Sequence, residues 1–227
     1  MIPLWMFPLA ITCGNTFILK PSERDPSCPL RLAELAKEAG VPDGVVNVIN
    51  GDKEAVDAIL HHPDISAVSF VGSTPVASYI YSTAAENGKR VQALGGAKNH
   101  MVVMPDADMD QAAEALMGAG YGSAGQRCMA VSVAVAVGEK TADELIANLV
   151  PRIQELKIGP GVDSDIEMGP VVTEQAYNRV KGLIGKGVEE GAELVVDGRN
   201  FTMQGYENGY FMGGSLFDNV TEDMEIY

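Results

Sequence analysis

"AVSFVGSTPVASYIYSTAAENG", residues 67–88, decides the fold class of this chain. Four of its first five residues are apolar, and the run is β-prone. Gly72, Ser73 and Thr74 break that run, and Pro75 suits the first turn of a helix. The remainder is helix-forming up to Asn87 and Gly88. A strand, a short polar turn and a helix of ten to fifteen residues make one half of a parallel β-α-β unit.

The same unit repeats on both sides. Upstream, "TFILKP" (16–21) and "VVNVING" (45–51) read as strands, and "CPLRLAELAKEAG" (28–40) and "DKEAVDAILHHP" (52–63) as helices. Downstream, "RVQALGG" (90–96) and "HMVVMPDAD" (100–108) read as strands. This alternation predicts an α/β fold with a doubly wound parallel sheet. The pattern changes near Met109, where a helix fades into the glycine-rich "GAGYGSAG". "MAVSVAVAVG" (129–138) then reads as a fully buried strand. Thr141, with Glu144 three residues on, predicts a capping box for a helix over 140–159, kinked at Pro151. A helix over 173–192 and strands at "ELVVDG" and "YFMGGSLFDNV" complete the chain. We place a domain boundary near residue 105, dividing 1–105 from 106–227.

The chain has 227 residues, 46 % of them hydrophobic, enough to bury a core in one large or two modest domains. Its 31 acidic and 16 basic side chains give a formal charge of −15. Such a surface disfavours nucleic acid and anionic membranes as partners. "MIPLWMFPLAITCGN" (1–15) is too short for a membrane span and lacks the basic start of a signal peptide. Cys13, Cys28 and Cys128 show neither metal-ligand spacing nor an even count, so neither zinc nor a disulfide framework is expected. A reducing cytoplasm or organelle matrix suits three free thiols.

Three stretches carry candidate chemistry. "LKPSER" (19–24) lies at the carboxyl end of the first strand, where open α/β sheets bind ligands. Lys20 and Glu23 are placed to meet a ribose, and a carboxylate there favours NAD over NADP. Arg24 pulls the other way, since a guanidinium accepts a phosphate. A solvated turn is the alternative for the same hexapeptide. "FVGSTPVA" (70–77) offers Gly72 for close backbone approach and Ser73 or Thr74 as a cap, with free N–H groups for a pyrophosphate. Cys128, in "GQRCMA", stands on a turn entering a strand. It is either an inert thiol or a nucleophile whose thiolate is favoured by Arg127 beside it.

Taken in order, "CGNTFILKPSE", "SFVGST", "LGGAKNH" and "GQRCMA" resemble the aldehyde dehydrogenase superfamily across essentially the whole chain. "ALGGAKNH" and "GQRCMA" are similar to its CoA-acylating methylmalonate-semialdehyde branch. The resemblance implies an NAD-binding α/β domain over 1–105 and an α/β catalytic domain over 106–227. It makes Cys128 the nucleophile, with its backbone N–H as an oxyanion donor. Lys20 and Glu23 match the residues that hold the adenosine ribose, Gly72 and Ser73 the pyrophosphate contact, and Gly95 the nicotinamide side. Arg24 is counted with the cofactor-binding residues, and Arg127 with the substrate carboxylate. Ala93 stands where hydrolytic members carry a water-activating glutamate, which implies acyl transfer to coenzyme A. The cofactors implied are NAD and coenzyme A. The partner implied is a small semialdehyde, and the full-length family form is a homo-oligomer.

The resemblance also implies truncation at both ends. The family's asparagine oxyanion donor and its nicotinamide-ribose glutamate fall outside these residues, so weak activity is the expectation for the chain alone. Two other readings compete with the acylating one. They are a hydrolytic or broad-specificity aldehyde dehydrogenase and a non-catalytic nucleotide-binding or interaction fragment. Requirement for coenzyme A separates the first, and NAD titration the second.

Overall fold

A computed structural model describes residues 1–227, which divide into two compact units, Met1–Gly96 and Ala97–Tyr227. In chain order the first unit contains α1 (Ile2–Thr12), β1 (Phe17–Leu19), α2 (Ser27–Glu38) and β2 (Val46–Val48). It continues with α3 (Lys53–His61), β3 (Ala67–Val71), α4 (Thr74–Glu86) and β4 (Arg90–Leu94). The second unit contains β5 (Asn99–Val103), α5 (Met109–Leu116), β6 (Val131–Ala136), α6 (Glu139–Gln154), α7 (Glu174–Glu189), β7 (Glu193–Val196) and β8 (Leu216–Asp218). The division by compactness falls at Gly96, before β5, because β5 pairs with β6 of the second unit.

The α/β class is present as expected. Three β-α-β units are parallel: β1 with β2, β3 with β4, and β5 with β6. The strands hydrogen-bond in separate pairs rather than as one continuous ladder, and β7 with β8 is antiparallel. Strands β1 and β2 are only three residues each, so each offers few ladder bonds to a further neighbour.

Helical spacing explains each unit's core. In the first, Leu60 of α3 meets Ile80 and Ala84 of α4, and Val68, Phe70 and Val91 pack beneath them from β3 and β4. The quoted stretch 67–88 thus buries its strand against its own helix. Lys89 is almost fully buried beside this core, and its ammonium donates to the carbonyls of His62 and Ile65, both at 2.6 Å. In the second unit Ala112, Ala113 and Leu116 of α5 pack against Leu145, Leu149 and Ile153 of α6 over Val103. A separate cluster joins Val171, Ile184 and Met212, with Ala124 packed against it.

Three local expectations change. The run 129–138 is not fully buried: along β6 half-buried and exposed residues are mixed, and Val135 is 42 % exposed. Its hydrogen-bonded neighbour is β5, and the α5–α6 core contacts it through Val131. A continuously apolar run does not reveal that only one face is covered. Helix α6 starts at Glu139, earlier than expected, because Gly138 turns the chain at φ 94°. Thr141 is therefore inside the first turn, and its hydroxyl donates to the Val137 carbonyl at 2.9 Å in place of a capping box. The helix ends at Gln154, with Pro151 in its last turn. The Thr173 cap of α7 is formed, its hydroxyl accepting from the Ala176 N–H at 3.1 Å.

Candidate functional site

At the carboxyl end of β1, Lys20 is largely covered, and its ammonium donates to the Gly51 carbonyl at 2.6 Å. Glu23 lies 3.6 Å away as a half-exposed ion-pair partner. Gly51 follows β2, the parallel neighbour of β1, so the two strand ends meet through this lysine. Gly51 sits at φ 147°, and a Cβ there would lie 2.7 Å from that of Ala55. That glycine carbonyl escaped the sequence reading. Its signal was the "NGD" turn before α3, which Asp52 caps by accepting from the Glu54 N–H. Arg24 is exposed, and its backbone N–H donates to the Ser22 hydroxyl at 3.3 Å.

At the carboxyl end of β3 the chain turns through Gly72 into α4, with Ser73 at the N-cap position. The Ser73 hydroxyl makes no cap bond. Thr74 uses its hydroxyl differently, accepting from the Gly96 N–H at 2.9 Å. A Cβ on Gly95 would lie 2.9 Å from that hydroxyl and 3.2 Å from the Thr74 Cα, so the "LGG" loop needs glycine to come this close. Gly72 donates its own N–H to the Leu94 carbonyl at 3.0 Å. The motifs "VGST" and "LGG", 22 residues apart in sequence, therefore converge on one helix start. The N–H groups of Thr74 and Val76 precede the first complete helical turn, and both residues are exposed. Together with the positive end of the α4 dipole they form an electrostatic seat for an anionic group. Ala93 is half-buried in β4, opposite Phe70 of β3.

In the second unit, α5 gives way to a π-turn over Met117–Tyr121 and a 3₁₀ turn over Gly122–Gly125. Ser123 and Ala124 are left-handed, at φ 55° and 52°, an unusual conformation for residues with a Cβ. The next turn, Arg127 to Ala130, closes with the Ala130 N–H on the Arg127 carbonyl at 3.0 Å and leads directly into β6. Cys128 is exposed at its centre, as expected of a thiol on a turn entering a strand. Exposure does not single it out, because Cys13 and Cys28 are exposed as well.

What distinguishes Cys128 is the set of bonds around it. The Gln126 carboxamide oxygen accepts from the Val172 N–H at 2.8 Å. The Arg127 guanidinium donates to the Gly118 carbonyl, across the side-chain-free face of Gly122. The Asn99 amide nitrogen donates to the carbonyls of Cys128 and Ala130. Upstream of the turn, the largely covered Tyr121 donates its hydroxyl to the Ser215 carbonyl at 2.9 Å. Burial pushes that phenol well above its usual range. Arg127 was expected to face a substrate. One of its guanidinium nitrogens is committed to the backbone, and the residue as a whole is exposed. Asn99 and Gln126 were not anticipated as partners of this turn, because both act on backbone far along the chain. No group of three or more His, Cys, Asp or Glu residues is placed to hold a metal ion. No helix is long and apolar enough to cross a membrane.

The sequence pattern of the aldehyde dehydrogenase family matches residues 1–227. The malonate-semialdehyde dehydrogenase of Pseudomonas aeruginosa is 65 % identical over 227 residues, covering 100 % of this chain and 46 % of that protein. The mitochondrial methylmalonate-semialdehyde dehydrogenase (acylating) of Arabidopsis thaliana is 52 % identical, over 100 % of this chain and 37 % of that protein. A solved structure from Sinorhizobium meliloti 1021, complexed with NAD and assigned as a methylmalonate-semialdehyde dehydrogenase, superposes with a TM-score of 0.95 at 69 % identity. It is matched by 100 % of this chain over 46 % of its own. The chain thus spans about half or less of the length of the curated relatives it matches.

Proposed function

The chain belongs to the aldehyde dehydrogenase family, and from that premise we propose that the protein oxidises malonate or methylmalonate semialdehyde to an acyl-CoA, with NAD as oxidant and Cys128 as the acyl carrier. The observation that carries the reading is the exposed Cys128 thiol on a turn held by Gln126, Arg127 and Asn99. The names of the relatives support the same substrate class.

In this reading the Cys128 thiolate adds to the aldehyde carbon, and the carbonyl electron pair moves onto oxygen, where the Cys128 N–H is the near donor. Bound NAD supplies the two-electron acceptor that turns this carbon into a thioester. The thiol of coenzyme A then displaces Cys128, returning the thiolate and releasing the acyl-CoA. Ala93 supports CoA over water as the acceptor, since a methyl group activates no water. For NAD, Lys20 and Glu23 are assigned to the adenosine ribose, with Arg24 at the rim. Gly72, Ser73 and the start of α4 are assigned to the pyrophosphate, and Gly95 to the nicotinamide side. Residues 1–105 serve as the NAD-binding part and 106–227 as the catalytic part.

Lys20 bears this out or not by titration. Lys20→Met removes the cation and leaves the Gly51 carbonyl without its donor. NAD affinity measured by calorimetry is expected to fall about tenfold, the scale of one charge-assisted hydrogen bond. Unchanged affinity takes Lys20 out of the ribose site. Arg127 is tested by substrate choice. Arg127→Leu is expected to raise KM about tenfold or more for the carboxylated semialdehyde and to leave propanal unaffected. An equal loss with both aldehydes assigns Arg127 to holding the turn through Gly118 instead.

A further inference from the structure

Asn99 opens β5, half-buried, 29 residues before the turn it touches. Its amide nitrogen donates to the Cys128 carbonyl at 2.8 Å and to the Ala130 carbonyl at 2.9 Å. Both partners are carbonyl oxygens, which only accept, so the nitrogen rather than the oxygen of the carboxamide must face them. These two carbonyls flank Met129, the residue after Cys128. One planar amide group therefore ties the peptide plane between Cys128 and Met129 to the one between Ala130 and Val131, and through the first of these it fixes the ψ angle of Cys128.

The strand register adds a second observation at the same place. Asn99 pairs with Val131, but His100 pairs with Val133, so Ser132 is an extra residue on β6. Such a bulge bends the strand at its entrance and re-aims what precedes it. A bent strand start needs a tie to hold one geometry. The only side chain that bridges β5 to the carbonyls of the Cys128 turn is Asn99.

We propose that Asn99 is a positioning residue for Cys128: by binding the carbonyls of residues 128 and 130 together, it sets the direction in which the thiol leaves the turn. Its consequence for turnover rests on the reading of Cys128 as the nucleophile. Asn99 itself touches no substrate in this scheme.

Asn99→Asp is the sharpest variant. It keeps the shape and replaces the donor with an oxygen facing two carbonyl oxygens. Asn99→Ala removes the group and guards against an effect of the new charge. Two measurements separate the local role from general damage. Hydrogen exchange at the Ala130 amide, which closes the turn, is expected to quicken about tenfold in both variants, while the amides of Val135 and Ala136 keep their protection. Covalent capture of malonate semialdehyde by Cys128 with NAD, followed by intact mass, is expected to slow about tenfold or more. Alkylation of Cys128 by iodoacetamide, which needs no fixed approach, stays within about threefold.

Unchanged exchange at Ala130 overturns the proposal. So does faster exchange with undiminished capture, which leaves Asn99 a merely structural tie. Equal losses in capture and in alkylation also overturn it, because the effect is then on the thiol rather than on its direction. If the unsubstituted chain captures no aldehyde, the nucleophile reading of Cys128 falls, and the exchange result alone still decides whether Asn99 holds the turn.

Discussion

Cys128→Ala is expected to abolish covalent capture of semialdehyde by this chain, whereas Cys13→Ala and Cys28→Ala leave it intact. All three thiols are exposed, so access alone predicts no difference between them. The difference lies in the backbone that carries each. Cys13 stands at the C-cap of α1, and Cys28 in the first turn of α2. Cys128 alone stands on a turn tied to Gly118, Val172 and Asn99. A thiol held in one direction by its surroundings loses less freedom on reaching the transition state than one without such ties. Removing a covalent nucleophile typically costs a factor of about 10⁴ or more in rate. The measurement is intact mass and peptide mapping after incubation with malonate semialdehyde and NAD. An acyl mass on Cys13 or Cys28, or one that persists in Cys128→Ala, sinks the assignment.

The largest effect on stability is expected at Gly198, in the second unit. There the chain leaving β7 crosses the segment before β8 with no side chain between them. Gly213 donates its N–H to the Gly198 carbonyl at 2.9 Å, and Gly198 donates to the Ser215 hydroxyl at 3.0 Å. A Cβ on Gly198 would overlap the carbonyl of Gly213 and lie 2.8 Å from its Cα. These are backbone atoms, so no rotamer relieves the clash. Met212, beside the crossing, belongs to the core with Val171 and Ile184, and the Ser215 carbonyl accepts from the Tyr121 hydroxyl. Gly198→Ala should therefore destabilise the second unit by about 3 kcal/mol or more, the scale of overpacking with lost hydrogen bonds. Gly182, on the exposed face of α7 with open space around it, is the control. Gly182→Ala should raise stability by about 0.5–1 kcal/mol through helix propensity. Urea unfolding reads both. A Gly198→Ala midpoint equal to the parent's would show that the crossing can open without loss.

The fold class and most elements were legible because each depends on residues within one helical turn or one strand. The stretch 67–88 forms its strand, turn and helix where the pattern puts them. Thr173 caps α7 for the same local reason. Misreadings arose where a remote partner, or an unusual φ, decided the outcome. Gly138 started α6 early, and β6 was left partly open although every residue but Ser132 in it is apolar. At the site, Cys128, Lys20 and Gly72 were singled out by residue type and local setting. Their partners were not, because Gly51, Leu94 and Asn99 lie 22 to 31 residues away from the groups they meet.

By itself, then, the order of residues determined the α/β class, the succession of strands and helices, and the family motifs from which Cys128 is proposed as the nucleophile. These follow from backbone preference, from burial with a period of 2 or 3.6 residues, and from short motifs. Only the tertiary structure decided that Lys20 meets the Gly51 carbonyl, that Arg127 spends a donor on Gly118, and that Asn99 holds the turn of Cys128. Each of these is a hydrogen bond whose partners are matched by packing, and packing is fixed only when distant segments come together.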